Sequence, residues 1–379
     1  MQFKLTRQQE MVRQLARKFA ERDLMPVAAE LDEQARYPQE TLTKAGALGF
    51  MGMPIPREYG GGGTDFVSHV IAMEEISNAC GATGVIVQTH VGLCCWPILT
   101  FGTEEQKQNY LPDLATGRKK GAFALTEANA GTDAAGMQTT AEDKGDHWLI
   151  NGSKIFISGG GIADVYVVIA LTDRSKGTKG MSAFIIEKGT PGLLAPNKEN
   201  QLGIRASVMT ELLFDDVKLP KEALLGKAGQ GFKLAMAALD VGRIGIAAQA
   251  LGIAQGAFNC TVEYMKNRKQ FGKPLYKFQA LAFEMAEMQT RIEAARLLLY
   301  MAADARDQGL PPAIPAARAK LFCSETAMYV TTKAVQFHGG YGYTKDYPVE
   351  RMMRDAKITE IYEGTSEVMK MLISGDIFS

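Results

Sequence analysis

The chain has little of what usually announces a metal or a nucleotide. Its 379 residues include four histidines (His69, His90, His147, His338), far apart and without an HExxH pair, so no metal site is expected. Five cysteines (Cys80, Cys94, Cys95, Cys260, Cys323) lack CxxC spacing and are odd in number, which reads as reduced, mostly buried thiols in a cytoplasmic protein. GxGxxG, the P-loop pattern and GxSxG are all missing. A Rossmann turn, a Walker loop and a nucleophile elbow are therefore excluded, and any nucleotide cofactor must be held by other means. Neither sign of charge is in excess: 42 Lys and Arg balance 42 Asp and Glu. A nucleic-acid binder would carry a basic surplus. The opening MQFKLTRQQEMVRQLARKF has no apolar centre of the kind a secretory signal needs. No run approaches the ~18 apolar residues of a membrane span.

What is present points to a globular, multidomain protein. Apolar residues make up 46% and charged residues 22%, and the length exceeds what one core usually serves. Residues 1–118 repeat apolar positions at three- and four-residue spacing, with Thr103 placed to cap a helix, and REYGGGGTD (57–65) breaks the pattern. Over 119–222 the texture changes. GAFALTE, HWLINGSKIFIS, ADVYVVIALT, GMSAFIIEKG and TELLFDDVKLP are short, β-branched and separated by turn signals, so an antiparallel barrel or sandwich is expected. Over 223–379 three segments of about 25 to 32 residues are helical and suit a four-helix bundle. Their apolar residues spread beyond one stripe, AAQALGIA and LLLYMAA being nearly continuous. Helix-to-helix association between subunits is expected from that.

Three polar segments concentrate chemistry. ALTEANAGTDAAG (124–136) leaves a strand with Thr126, Glu127, Gly131 and Thr132. It fits either a polar loop capping a sheet or a ligand cradle. QFHGGYGYTKDYPVERMMRD (336–355) ends a long helix with three glycines in four residues, more than a C-cap requires. ITEIYEGTSEV (358–368) holds Glu360, Glu363 and Glu367.

Together these segments resemble the acyl-CoA dehydrogenase family, and its short-chain, butyryl-type branch in particular. ALTEANAGTDAAG is similar to the family's first signature. Gln336 to Asp355 is similar to the second, with Gln336, Gly339, Gly340, Gly342, Asp346, Arg351 and Asp355 in register. NRKQFGKP (267–274) and IYEGTSEV (361–368) match further motifs, and the likeness covers essentially the whole chain. It implies an α–β–α fold: an N-terminal helical domain, a middle β domain and a C-terminal bundle. It also implies FAD held by Phe123, Leu125, Thr126, Gly131, Thr132, Phe156, Ile157, Ser158, Thr365 and Glu367. Arg268, Phe271, Gln279, Gln336, Gly339 and Gly340 would serve a neighbouring subunit's FAD. A homotetramer built as a dimer of dimers, and electron-transfer flavoprotein as acceptor, follow from the same resemblance. Phe156 stands where a tryptophan is common, Ser158 where threonine is, and Gly159–Gly161 where asparagine is usual. These departures bear on flavin tuning and acceptor docking rather than on flavin binding.

The resemblance makes Glu363 the base that removes the α-proton of an acyl-CoA thioester while the β-hydrogen leaves as hydride. That proton is weaker than a carboxylic acid by roughly a dozen or more pKa units, about 1.4 kcal/mol each, so a carboxylate cannot act unaided. The family's remedy is a backbone N–H, here that of Glu363 itself, and a flavin hydroxyl on the thioester oxygen. Glu367, in a helix's first turn, is explained by the macrodipole, and Glu360 by solvation. Relatives that carry the base on the preceding long helix would have it at Gly242, which cannot serve. Asp240 and Arg243 would touch the pantetheine or position the Glu363 loop. Thr132, Gly364, Thr89 and His90 are further candidates for substrate contact. GVIVQTHVGLCCWPI (84–98) would line the acyl pocket and holds no arginine, so a neutral, short acyl group is expected. Branched or cyclic acyl groups, dicarboxylic acyl-CoA, enoyl-CoA reduction and acyl-CoA oxidase activity are the alternative enzyme readings. A flavin-free CoA-binding scaffold is the non-enzymatic one.

Overall fold

The structure is a computed structural model and describes residues 4–379. Helix ends follow local chemistry. The Thr103 hydroxyl accepts the Gln106 amide at 3.2 Å, and the Thr103 amide donates to the Gln106 side chain at 3.0 Å. The same reciprocal box formed by Thr6 and Gln9 opens the first helix. The N-terminal part comprises α1 (Arg7–Phe19), α2 (Ala28–Glu33), α3 (Gln39–Ala47), α4 (Phe66–Ala79), α5 (Gly81–Gln88), α6 (Trp96–Phe101) and α7 (Glu104–Ala115). A π-helical turn, Thr89–Cys95, joins α5 to α6. The glycine run at 60–63 is a loop, and a Cβ on Gly61 would lie 2.1 Å from the Ile55 carbonyl oxygen.

The middle part is one sheet: β1 (Gly121–Ala124), β2 (Thr140–Asp143), β3 (His147–Ser158), β4 (Val165–Leu171), β5 (Met181–Glu187), β6 (Leu193–Leu194), β7 (Met209–Pro220) and β8 (Leu224–Leu225). The order is β6-β7-β3-β2-β4-β5-β8, with β1 beside β4. It is not wholly antiparallel: β1 pairs parallel with β4, Gly121 opposite Val165 through Ala124 opposite Val168. The connection from β1 runs through two further strands, long enough to bring the chain back in the same direction. β4 is buried along its whole length. Tyr166, Val168 and Ala170 enter one core, and Val165, Val167 and Ile169 another.

The C-terminal part holds α8 (Gly231–Asn267), α9 (Gln279–Asp307), α10 (Ala313–His338), α11 (Val349–Lys357) and α12 (Ser366–Ile377). α8 runs 37 residues, longer than the roughly 25 to 32 expected of the bundle's segments. It packs on α9 and α10 and, across the chain, on α4, while α12 lies on α10. Val70, Ile71 and Met73 therefore share one core with Ile244, Leu251, Leu299 and Val330. Gly81–Phe101 and Gly231–Asn267 are long and apolar enough to cross a membrane, but 78% of an apolar 18-residue stretch in each is buried inside the protein, as in core helices.

Candidate active site

Glu363 occupies the turn between α11 and α12. Its backbone is left-handed (φ 53°), a conformation that costs a residue with a Cβ roughly 1–2 kcal/mol. Two cations hold it there. The Arg243 guanidinium, from α8, donates to the Glu363 carbonyl at 3.1 Å, and the Lys320 ammonium, from α10, donates to the Gly364 carbonyl at 2.6 Å. Arg243 is itself braced by Asp240 at 2.7 Å. The Tyr362 hydroxyl bonds to the Gln249 side chain, which in turn reaches the Gly81 carbonyl at 2.9 Å. The residue as a whole is half-buried, yet both carboxylate oxygens are sealed from water and have no hydrogen-bond partner among the described residues. Burial pushes the carboxyl up to about 8, and Arg243 and then Lys320 pull it back only in part. The carboxylate rests on α8 where that helix has no side chain: a Cβ on Gly242 would sit 1.9 Å from Glu363 Oε2.

The β-domain residues expected to face a flavin come together. Ile155 donates to the Thr126 carbonyl at 2.9 Å, joining the segment that holds Phe123, Leu125 and Thr126 to the one that holds Phe156, Ile157 and Ser158. Phe156 sits at a register shift of β3 on β7, left-handed (φ 59°) and exposed. Gly131 and Thr132 are exposed, with open space around Gly131. The π turn links this region to Glu363. Gly121, at the start of β1, packs on His90 and Cys94, and Leu93 of the same turn reaches Gly242.

The remaining candidates form a separate group. Tyr264 bonds to the His338 carbonyl at 3.1 Å and the Arg268 guanidinium stacks 5.7 Å from the Tyr341 ring, drawing the ends of α8 and α10 together. Arg268, Phe271, Gln279, Gln336, Gly339 and Gly340 are all exposed there, Phe271 at 93%. Gln336 is sixteen residues beyond Lys320 on α10, about 24 Å along the helix. One chain thus does not bring this group to its own Glu363. Thr365 caps α12, accepting the Val368 amide at 3.3 Å, and Glu367 is exposed in the first turn.

Two substrate candidates need correction. His90 is buried with both ring nitrogens engaged: Nδ1 accepts the Gly121 amide at 2.9 Å, and Nε2 lies 2.9 Å from the Leu114 carbonyl. It staples the helical domain to the sheet and has no polar atom free for an acyl group. The Thr89 hydroxyl is likewise spent on the Val85 carbonyl at 2.9 Å. Two residues were not anticipated, Lys320 and Lys154. Lys154 is fully buried, paired with Glu127 at 2.8 Å and bonded to the Leu125 carbonyl at 2.8 Å. Glu127 also accepts the Thr139 amide at 2.9 Å, so the pair ties both ends of the 125–139 loop to β3. Each lysine is surrounded by small or apolar neighbours, the only hint that a sequence offers. A cavity of about 940 Å³ between α1, α4 and α9 lies elsewhere and is crossed by satisfied ion pairs such as Arg17–Glu75 and Arg296–Glu74.

Family models for the acyl-CoA dehydrogenase N-terminal, middle and C-terminal domains match residues 6–118, 122–217 and 229–378. The chain belongs to the acyl-CoA dehydrogenase family. It is 61% identical to a short-chain-specific acyl-CoA dehydrogenase of Clostridium acetobutylicum, over 100% of both chains. It is 49% identical to the acryloyl-CoA reductase (NADH) of Anaerotignum propionicum, over 100% of this chain and 96% of the other. Among solved structures, it superposes on butyryl-CoA dehydrogenase from Megasphaera elsdenii with TM-score 0.98, 50% identity and full coverage of both. A chain in the structure of the electron transferring flavoprotein of Acidaminococcus fermentans gives TM-score 0.98 and 53% identity, over 100% of this chain and 99% of that one. This acyl-CoA dehydrogenase is an oxidoreductase whose cofactor is FAD. The residues fit that cofactor: Gly131, Gly339 and Gly340 leave open approaches, and the Ser366 hydroxyl beside Thr365 and Glu367 is buried without a partner.

Proposed function

We propose that this acyl-CoA dehydrogenase converts a short-chain, neutral acyl-CoA to the 2,3-enoyl-CoA, with Glu363 taking the α-proton. FAD, when bound, supplies the acceptor for the β-hydrogen and its electron pair. The observation that carries the reading is a sealed, partnerless carboxylate held on Gly242 by a strained backbone. A carboxyl at about 8 is a stronger base than an ordinary one near 4.5, by an amount equivalent to roughly 5 kcal/mol. That leaves most of the acidity gap to be closed by stabilising the developing oxyanion. The Glu363 amide, which makes no hydrogen bond among the described residues, is available for it. A distal carboxylate on the acyl group would find no arginine in 84–98, which favours a neutral substrate. The short-chain relative at 61% identity supports the chain length.

A homotetramer is part of the proposal. Its support is the exposed group at the α8–α10 end and apolar side chains such as Phe283 and Met301 left open on α9. Electron-transfer flavoprotein is the proposed acceptor and the cytoplasm the proposed location, the latter supported by five unpaired cysteines. Enoyl-CoA reduction is the second reading, favoured by the reductase relative. A group titrating near neutrality can return a proton to the α-carbon as readily as remove it. The test is Glu363→Gln mixed with butyryl-CoA in a stopped-flow spectrophotometer. Flavin bleaching at least 10³-fold slower than wild type is expected, and bleaching at the wild-type rate would overturn the assignment.

A further inference from the structure

Lys320 is absent from the residues that the sequence marks for the reaction, and its placement is chemically expensive. It lies on the inward face of α10 among Ala316, Ala317, Ala319 and Cys323, with no exposed surface. An ammonium has three protons to donate, and here one acceptor is found, the Gly364 carbonyl at 2.6 Å. A buried cation with one neutral partner is destabilising unless a nearby negative charge compensates it. The carboxylate of Glu363, one residue before that carbonyl, supplies such a charge.

We propose that Lys320 is a positioning residue of the dehydrogenation: with Arg243 it holds the Glu363–Gly364 backbone in its left-handed turn, and it supplies positive charge against which the Glu363 carboxylate ionises. The two cations come from different helices and grip successive carbonyls, so both peptide planes flanking Gly364 are fixed. The charged and titratable groups around the base are few: Arg243 from α8, Lys320 from α10, and Tyr362 beside it in the chain. Around Lys320 stand Glu363, Arg243, Glu360 and Glu367. Glu360 already pairs with Lys357 at 2.6 Å, and Glu367 is exposed, which leaves Glu363 as the buried counter-charge. Burial lowers Lys320 to about 8, with Glu363 the largest influence opposing it. The base and the lysine therefore titrate in the same range, and each favours the charged form of the other.

This inference rests on Glu363 being the base, so the experiment separates the two. Lys320→Gln keeps an N–H donor for the Gly364 carbonyl and removes the charge, Lys320→Met removes both, and Lys320→Arg keeps the charge. Each holoenzyme is mixed with butyryl-CoA across pH 6–10, and the flavin-reduction rate is plotted against pH. In Lys320→Gln and Lys320→Met the inflection is expected to move up by about one unit, with the rate near neutrality falling about tenfold and recovering at high pH. Lys320→Arg should stay within about twofold of wild type. Independently of turnover, the protonated-carboxyl infrared band lost in Glu363→Gln should titrate at higher pH in Lys320→Gln. An unmoved inflection and an unmoved band in both neutral variants would overturn the inference, as would failure of both to fold, which would make Lys320 a purely structural residue. Wild-type bleaching by Glu363→Gln would instead remove the reading of Glu363 on which it stands.

Discussion

Gly242 offers a test of where the base must be. A methyl group there would meet Glu363 Oε2 at 1.9 Å, its Cδ at 2.8 Å and Leu93 Cδ2 at 3.0 Å. The obstructing atoms are the far ends of side chains, so α8 accepts alanine without moving. In an exposed helix the exchange would stabilise by up to about 1 kcal/mol. The carboxylate, however, must withdraw by about 1.5 Å to reach ordinary contact. Misplacement on that scale costs on the order of 10²-fold in rate. Gly242→Ala is therefore expected to unfold within a few degrees of wild type, retain its flavin and lose about 10²-fold in the rate of flavin reduction. The checks are a thermal melt, a flavin-to-protein ratio and stopped-flow bleaching with butyryl-CoA. Wild-type bleaching by a folded Gly242→Ala would refute the claim that the carboxylate's rest against α8 matters to the chemistry.

Other outcomes follow from the buried charges. Because the folded-state carboxyl of Glu363 is raised to about 8 from an ordinary value near 4.5, its contribution to stability is fully present below pH 4.5 and is lost as pH rises through 8. Substrate-free wild type should thus lose stability relative to Glu363→Gln by on the order of 4–5 kcal/mol between those limits, and parallel denaturation curves across pH would contradict this. Lys154→Met strands Glu127 without its buried partner, a loss of about 3–5 kcal/mol concentrated at the 125–139 loop. The purified protein should carry less FAD and regain it only at added excess; full occupancy as isolated would show that the clamp is dispensable.

Much of the architecture is legible in the chain because its signals are local. Thr103 and Gln106 spell a capping box, and the long apolar helices of the bundle carry their period openly. The direction of β1 was not anticipated, although VYVVIAL, apolar at nearly every position, is how a strand buried on both faces reads. Glu363 is proposed from the family likeness. The left-handed backbone that aims it was not legible, since only contacts from helices distant in sequence enforce it. Lys320 and Lys154 were missed because a buried lysine and a solvated one are spelled alike. His90 was overread for the converse reason: its neighbours in sequence are polar, while the groups that occupy its nitrogens, Leu114 and Gly121, lie 24 and 31 residues away.

With Glu363 as the proposed base, position 363 is where heat resistance and turnover pull against each other. Glycine, and to a lesser degree asparagine, would relax that turn and remove a sealed acid at one stroke. A laboratory screen rewarding survival on heating alone would therefore drift toward an inert protein through this single codon. Only a screen that demands enoyl product would keep the acid in place.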